Sequence, residues 1–219
     1  MDVDLSLYAL IDPAVAGGRS LGDLVARIAD SATLVQLRDK HGSTRTLVAE
    51  ARELTMVLAP LDIPLIINDR VDVALAAEAD GVHIGQDDMS PADARLLLGR
   101  TAIIGLSIKT VEQAKAAPLD LLDYVAIGGI YATTSKDDAK APIGLEGLRA
   151  AVQAIHARKP GFPICAISGI NESNAADVIK AGADGVAVIS ALSLAADPAL
   201  AGQNLRAVVD AALARRGKP

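Results

Sequence analysis

The chain alternates between short apolar runs and longer segments in which apolar residues recur with helical spacing. Eight short runs precede helical stretches, at residues 7–11, 33–38, 65–68, 81–84, 102–107, 124–128, 164–168 and 185–190. Eight strand–helix units in 219 residues are what a compact (β/α)8 barrel requires, whereas an open doubly wound sheet usually has fewer strands and a glycine-rich nucleotide motif that this sequence lacks. The pattern therefore predicts an α/β protein, a single-domain (β/α)8 TIM barrel over residues 1–219.

An internal repeat supports this prediction. Residues 79–84 read ADGVHI and residues 183–188 read ADGVAV, and these segments contain the fourth and the eighth apolar run. The two copies are thus separated by half of an eight-unit barrel. No low-complexity tract or long Pro/Gly/Ser-rich linker divides the chain into separate domains.

Composition narrows the class of partner. Hydrophobic residues make up 51% of the chain but aromatic residues only 2%, so the core must consist mainly of Ala, Val, Ile and Leu. A net charge of -6 argues against a nucleic-acid or anionic-membrane surface. The amino terminus has no basic segment, no run of 18 apolar residues occurs, and the single cysteine, Cys165, excludes a disulfide within the chain. These features predict a cytoplasmic protein, in which local basic clusters can still bind a small anion.

Two cations, Arg38 and Lys40, occur where the second run ends, in the segment QLRDK at residues 36–40. Period-two alternation places Gln36 and Arg38 on the same face of the strand, in the barrel interior or at its rim. A guanidinium in that position needs an anion, so Arg38 either pairs with an internal carboxylate or binds a phosphate-bearing ligand. Lys40 adds a second positive charge on the same side and favours the ligand.

Acidic residues follow the third and fourth runs, which end at neighbouring points on one rim of a parallel barrel. Asp69 by itself is more readily explained as a cap of the third helix. Asp88 is not needed as a cap, because Ser90 already begins the fourth helix. Together with Asn68 and Gln86, the two aspartates offer the hard oxygen ligands that Mg²⁺ prefers.

Three further segments at this rim carry candidate groups. Residues 129–142 exceed the ~2–6 residues usual for such a connection, and they form either a lid or a solvated insertion. Segments 168–170 and 188–190 lie where barrels bind phosphate through backbone N–H groups, although glycines there also serve ordinary turns. Ser107 either faces the rim with its hydroxyl or begins a helix. His83 lies within a strand and is interpreted as a hydrogen-bonded structural histidine.

Taken together, these segments resemble the thiamine phosphate synthase family, also called thiamine-phosphate pyrophosphorylase, over nearly the whole chain. Six motifs follow the family's order: QLRDK at 36–40, NDRVDVALAAEADGVHIGQDD at 68–88, GLSIKT at 105–110, YVAIGGIYATTSKDDA at 124–139, SGIN at 168–171 and ADGVAVIS at 183–190. The resemblance implies a compact barrel that joins 4-amino-2-methyl-5-(diphosphomethyl)pyrimidine to hydroxyethylthiazole phosphate. The implied products are thiamine phosphate and pyrophosphate, and pyrophosphate leaves before the thiazole nitrogen captures the pyrimidine carbocation.

The resemblance also assigns a role to each candidate residue. It implies that Asp69 and Asp88 bind Mg²⁺, the one cofactor. It implies that the catalytic residues are Arg38, Lys40, Ser107 and Lys136, which also contact the pyrimidine or its diphosphate. The further substrate-binding residues are Gln36 and Asn68 on the pyrimidine side, and Thr133, Ser135, Gly169, Ile189 and Ser190 around the thiazole and its phosphate.

Three places depart from the family pattern. The lid commonly reads Gly-Pro-Ile-Phe/Tyr-Pro-Thr, whereas Gly129 and Ala132 replace both prolines here and Ser135 stands where Thr is common, which predicts a looser loop. Ser168 replaces the first glycine of a Gly-Gly-Ile turn, so its side chain is either accommodated beside the thiazole phosphate or points away. Lys109 stands where histidine is frequent.

Three functions are weighed against these observations. The leading hypothesis is a Mg²⁺-dependent thiamine phosphate synthase, because the cations and both aspartates occur together. A thiazole tautomerase shares the barrel and the thiazole site, but Lys109 replaces the histidine expected for its proton transfer. A non-catalytic paralogue that binds thiamine precursors is the third. The sequence leaves open the choice between a monomer and a homo-oligomer, the acceptance of carboxylated thiazoles, and the order of the lid without ligand.

Overall fold

The computed structural model describes residues 3–133 and 141–217, which contain a closed barrel of eight parallel strands. The strands are β1 (Leu7–Ile11), β2 (Leu34–Leu37), β3 (Leu65–Asn68), β4 (Gly81–Ile84), β5 (Ile103–Ile108), β6 (Tyr124–Ile127), β7 (Ile164–Ile167) and β8 (Gly185–Val188). Each strand pairs with the next, and β8 pairs with β1 to close the sheet. The predicted (β/α)8 barrel is confirmed, with every strand within two residues of its predicted limits. The domain limits of 1–219 stay a prediction.

Helices cover the outside of the barrel. They are α1 (Leu21–Ile28), α2 (Thr44–Leu58), α3 (Val71–Ala77), α4 (Pro91–Leu98), α5 (Val111–Ala116), α6 (Gly144–His156), α7 (Ala175–Lys180), α8 (Ser190–Ser193) and α9 (Pro198–Arg216). As predicted, Ser90 caps α4: its hydroxyl accepts the N–H of Asp93, which has no partner within the helix. In the part of the chain that the structure describes, no helix combines the length and apolar composition needed to cross a membrane.

Two apolar layers surround the strands. The larger lies between the strands and the helices, where Val35 and Leu37 belong to the same cluster as Leu54 of α2. The smaller fills the inside of the barrel and includes Leu34 and Ile66. Successive strand residues point to opposite faces, so each strand contributes to both layers. Burial on both faces explains why the strands are continuous apolar runs in the sequence.

The interior layer also contains two tyrosines. Tyr8 of β1 and Tyr124 of β6 are at most 1% exposed. Gly105 of β5 makes room for the second ring, because a Cβ at residue 105 would lie 2.1 Å from Cζ of Tyr124. Glycine normally weakens a strand interior, so the close approach of this ring explains its presence.

We expect Gly105→Ala to lower the free energy of unfolding by about 1–3 kcal/mol, the usual cost of overpacking a filled core. Chemical denaturation measures the change. Gly128→Ala is the matched control, because a Cβ at residue 128 would come no closer than 3.6 Å to an atom beyond its chain neighbours. Equal loss of stability in both variants would contradict this account of Gly105.

Candidate active site

The predicted site residues in the described ranges lie at the carboxyl ends of the strands or in the loops that follow them. The set consists of Gln36, Arg38 and Lys40 with β2, Asn68 and Asp69 with β3, Asp88 with β4, Ser107 with β5, Thr133 with β6, Gly169 with β7, and Ile189 and Ser190 with β8. Parallel pairing brings all these strand ends to one rim. Ser135 and Lys136 lie outside the described residues.

A charged cluster at this rim consists of Lys40, Asp69 and Asp88. The Lys40 Nζ lies 3.4 Å from Oδ2 of Asp69, and the Asp88 carboxyl is close enough to hydrogen-bond the Asp69 carboxyl. Burial raises the pKa of Asp69, and the hydrogen bond and charge of Asp88 raise it further, whereas Lys40 acts in the opposite direction. Two acidic groups share one cation, so the cluster favours the approach of additional positive charge.

The backbone presents Asp69 to this cluster in an uncommon conformation. Its φ is 61°, in the left-handed region that favours glycine, and its N–H donates to the His83 carbonyl at 2.8 Å. Arg70 occupies the N-cap position of α3, and no side chain makes a capping hydrogen bond there. The interpretation of Asp69 as a helix cap is therefore wrong, because the strand end turns its carboxylate toward Lys40 instead.

Asp88 is oriented by its own loop. Its Oδ2 accepts the N–H of Gly85 at 2.6 Å, which closes a tight turn between β4 and α4. Since Ser90 caps α4, this bond fixes the Asp88 carboxylate without using it for the helix.

The paired carboxylates match the ligand preference of Mg²⁺. Within residues 3–133 and 141–217, no group of three or more His, Cys, Asp or Glu side chains could hold a metal. Mg²⁺ does not require such a cage, since it is usually bound through one or two carboxylates together with waters and substrate phosphate. The contact between Asp69 and Asp88 supplies that smaller set of oxygen donors.

Arg38 forms an ion pair that the sequence analysis did not assign to a particular residue. Its Nη1 donates to Oδ2 of Asp12, and the two side chains are only 13% and 4% exposed. The Oδ1 of Asp12 accepts the N–H of Ala14 at 2.9 Å, which anchors the carboxylate. Arg38 therefore pairs with an internal carboxylate, which was one of its two predicted roles. A guanidinium has five N–H donors, so this ion pair does not exclude a contact between Arg38 and a ligand.

Strand register contains the signal that would have identified Asp12. Ile11 and Leu37 are paired residues at the ends of β1 and β2. Asp12 and Arg38 each follow one of these residues, so their side chains begin side by side at the rim.

Gln36 and Ser107 are joined across the barrel by Tyr8, Tyr124 and His83, and we call these five side chains the interior chain. Gln36 Nε2 donates to the Tyr8 hydroxyl, which lies 2.8 Å from the Tyr124 hydroxyl. The Tyr124 hydroxyl is 2.9 Å from His83 Nδ1, and His83 Nε2 is 2.8 Å from Ser107 Oγ. Burial raises the pKa of both tyrosines above its ordinary value, so both stay protonated at neutral pH.

The interior chain bears on two interpretations. His83 is a buried, hydrogen-bonded histidine, as expected. Ser107 does not begin a helix, since Thr110 caps α5. Sequence reasoning missed Tyr8 and Tyr124, although their presence within predicted strands of a chain with only three tyrosines was a usable signal.

A cavity of about 500 Å³ lies over the ends of β7 and β8. Its lining includes all the described residues predicted around the thiazole and its phosphate, namely Thr133, Gly169, Ile189 and Ser190. A second cavity, of about 430 Å³, is lined by Ser107 and Thr133 among others. Ser168 lines both cavities.

Ser168 also attaches the loop after β6 to the end of β7. Its Oγ accepts the N–H of Gly129 at 3.1 Å, and its carbonyl accepts the N–H of Tyr131, also at 3.1 Å. Its φ is 98°, a strained value for a residue with a Cβ. The Ser168 hydroxyl thus points to the loop, and in the described residues this bond offsets the loosening expected from the loss of a proline at position 129.

Gly169 is required by the same attachment. Its φ is 65°, and a Cβ there would lie 2.5 Å from the Ala132 carbonyl oxygen. A larger residue would displace the loop from the cavity wall.

The chain is similar to known proteins over most of its length. The model of the thiamine monophosphate synthase family matches residues 7–192. A thiamine-phosphate synthase of Chloroflexus aurantiacus is 50% identical over 208 residues, which cover 94% of this chain and 94% of the relative. A thiamine-phosphate synthase of Agrobacterium fabrum is 45% identical over 215 residues, with 98% of each chain covered.

Solved structures give a similar result. A thiamine phosphate pyrophosphorylase from Pyrococcus furiosus has a TM-score of 0.84 and 35% identity, and the match covers 97% of this chain and 98% of that one. A 3-hexulose-6-phosphate synthase has a TM-score of 0.65 at 19% identity, which shows a shared fold alone.

We expect Ser168→Ala to be less stable than Ser168→Gly. Alanine loses a hydrogen bond that contributes about 1 kcal/mol and retains the strain of a positive φ, whereas glycine adopts this φ without strain. Chemical denaturation of both variants and the parent measures the order. An alanine variant as stable as the parent would contradict the attachment of the loop through this hydroxyl.

Proposed function

This chain belongs to the thiamine monophosphate synthase family, and we propose how its rim residues carry out the transfer that forms thiamine phosphate. The relatives' names support this transferase activity and give no support to a thiazole tautomerase or to a non-catalytic paralogue. The substrates are small molecules, while the cytoplasmic location and the assembly state stay predictions. The observation that carries the assignment of roles is the contact of Asp69 with both Lys40 and Asp88.

The pyrimidine substrate binds over β2 and β3 in this proposal. Arg38 and Lys40 supply positive charge to its diphosphate, and Asn68 supplies an amide. Gln36 contacts the pyrimidine ring from the top of the barrel interior. In support, Gln36 Oε1 is buried and has no hydrogen-bond partner among the described residues, so it is an acceptor suited to the amino group of the pyrimidine.

Asp69 and Asp88 are the proposed ligands of Mg²⁺. The cation, when bound, neutralises charge that develops on the departing pyrophosphate. The negative charge that the two carboxylates concentrate beside a single lysine favours this assignment.

The hydroxyethylthiazole phosphate binds in the cavity over β7 and β8. Gly169, Ile189 and Ser190 lie where barrels of this kind commonly bind phosphate, and the cavity volume of about 500 Å³ suits a molecule of this size. Thr133 lines this cavity and the second cavity. The roles of Ser135 and Lys136 remain those that the family resemblance implies.

The proposed chemistry depends on charge stabilisation and orientation. The carbon–oxygen bond to the diphosphate breaks, and both electrons leave with pyrophosphate. The lone pair of the thiazole nitrogen then forms the new carbon–nitrogen bond to the pyrimidine carbocation. Arg38 and Lys40 stabilise the leaving group, and Ser107 orients the pyrimidine. No strong general base is required, which agrees with the neutral tyrosines of the interior chain.

We expect Asp69→Asn and Asp88→Asn to lower the rate of thiamine phosphate formation at least about a hundredfold, the usual effect of losing one group that stabilises charge in the transition state. The assay combines purified protein, both substrates and Mg²⁺, and measures thiamine phosphate and pyrophosphate together. Asp87→Asn is the matched control, because Asp87 is an exposed carboxylate of the same loop. It should leave the rate within about twofold, the range of surface substitutions.

Two results would contradict these assignments. A parent protein that forms neither product with Mg²⁺ present would refute the proposed activity. An active parent whose Asp69→Asn and Asp88→Asn variants match Asp87→Asn would refute the magnesium site alone. Chelation with EDTA provides a second check, since activity should disappear and return when Mg²⁺ is restored.

A second experiment tests whether Arg38 binds the diphosphate or only forms its ion pair with Asp12. Arg38→Gln should raise the KM of the pyrimidine diphosphate about tenfold or more, because a hydrogen bond to a charged group contributes about 1.5–3 kcal/mol. It should also destabilise the fold by leaving Asp12 buried without its partner. Adding Asp12→Asn should restore stability but not KM. Recovery of both stability and KM in the double variant would show that Arg38 has only a structural role.

A further inference from the structure

We propose that the interior chain orients Gln36 and Ser107 for the pyrimidine substrate, and that all its hydrogen bonds run in one direction. This inference rests on the proposed function, in which Gln36 and Ser107 contact the pyrimidine. Tyr8, Tyr124 and His83 do not touch the substrate in this account. They are positioning residues that act through Gln36 and Ser107, the two ends of the interior chain.

The direction follows from the donors and acceptors. Gln36 Nε2 only donates, so the Tyr8 oxygen accepts. Each tyrosine has one hydroxyl hydrogen, which Tyr8 gives to Tyr124 and Tyr124 gives to Nδ1 of His83. A neutral imidazole that accepts at Nδ1 carries its hydrogen on Nε2. That nitrogen therefore donates to Ser107 Oγ at 2.8 Å.

The two ends then present complementary groups to the site. At one end, Gln36 Oε1 remains an acceptor, buried and without a hydrogen-bond partner in the described ranges. At the other end, Ser107 accepts from His83 and keeps its own hydrogen to donate toward the cavity that it lines. An aminopyrimidine has an amino donor and ring-nitrogen acceptors, which complement the acceptor at one end and the donor at the other. A Gln36 amide turned by 180° would reverse every bond and lose this match.

Close packing holds the side chains of the interior chain in this arrangement. The rings of Tyr8 and Tyr124 meet edge to face with centroids 5.7 Å apart, and His83 stacks on Tyr124 at 5.5 Å. Gly105 leaves the space that the Tyr124 ring occupies. Because the interior is buried, water does not compete for these bonds, and each bond polarises the next.

The position of the hydrogen on His83 tests the direction without any ligand. Long-range ¹H–¹⁵N correlation spectra of protein labelled at histidine distinguish the two tautomers and the imidazolium. The chain has three histidines, and the signals of His41 and His156 are assigned by replacing each with Gln, which leaves His83 intact. We expect the neutral Nε2–H form of His83. The Nδ1–H form or an imidazolium would overturn the proposal.

Ligand affinity tests the positioning role. Tyr8→Phe removes the acceptor of Gln36 Nε2 and allows the amide to turn. We expect affinity for the pyrimidine diphosphate, measured by calorimetry with Mg²⁺ and no thiazole substrate, to fall about tenfold, equivalent to about 1.4 kcal/mol. Affinity for inorganic pyrophosphate should not change. Tyr124→Phe interrupts the chain at the next bond and should weaken pyrimidine binding in the same selective way.

Ile66→Val is the matched control, because it removes a methylene group from the same interior layer and no polar atom. Equal losses of pyrimidine affinity in Tyr8→Phe and Ile66→Val would overturn the positioning role. A parallel loss of pyrophosphate affinity in Tyr8→Phe would also overturn it, since that result indicates a generally loosened rim. A parent that does not bind the pyrimidine diphosphate would contradict the proposed function instead, and the His83 tautomer would still decide the direction.

Discussion

The parallel pairing of β8 with β1 is the constraint on which the rest of the molecule depends, because it closes the sheet. Parallel strands require a crossover after each strand, so every carboxyl end lies at the same rim. Side chains from distant parts of the chain become neighbours there. Arg38 forms an ion pair with Asp12, and Asp69 contacts both Lys40 and Asp88. These contacts join side chains that follow neighbouring, paired strands. The charged groups have their place because the rim is the boundary between the buried interior and solvent.

Closure also creates an interior narrow enough for opposite strands to share hydrogen bonds. Tyr8 of β1 reaches Tyr124 of β6, and Tyr124 reaches His83 of β4. Such a polar chain is stable in an apolar layer because its members satisfy one another. The one exception among the described members is Oε1 of Gln36, which is buried and has no hydrogen-bond partner. An unsatisfied buried acceptor is costly, and a bound ligand that donates to it removes the cost.

The departures from the family pattern are partly coupled. A proline at position 129 would have no N–H to donate, and a glycine at position 168 would have no hydroxyl to accept. Gly129 and Ser168 replace this pair together, and they form a hydrogen bond of 3.1 Å between the loop and β7. The strain of Ser168 at a φ of 98° is thus offset by an attachment that the family's usual residues cannot make.

By itself, the sequence determined the barrel, its eight strands and the rim positions of the site residues, since burial on both faces leaves a continuous apolar run and polar residues mark each strand end. It could not decide which of those residues touch. Asp69 was more readily explained as a cap while only its neighbours in the chain were considered, and Asp12, Tyr8 and Tyr124 were not assigned to the site. The tertiary structure decided these points, because the partners of a charge or a hydroxyl at the rim come from other strands. The pattern of apolar and polar residues along one strand indicates which face a side chain occupies. The pairing of strands in the closed barrel determines which other side chains it contacts there.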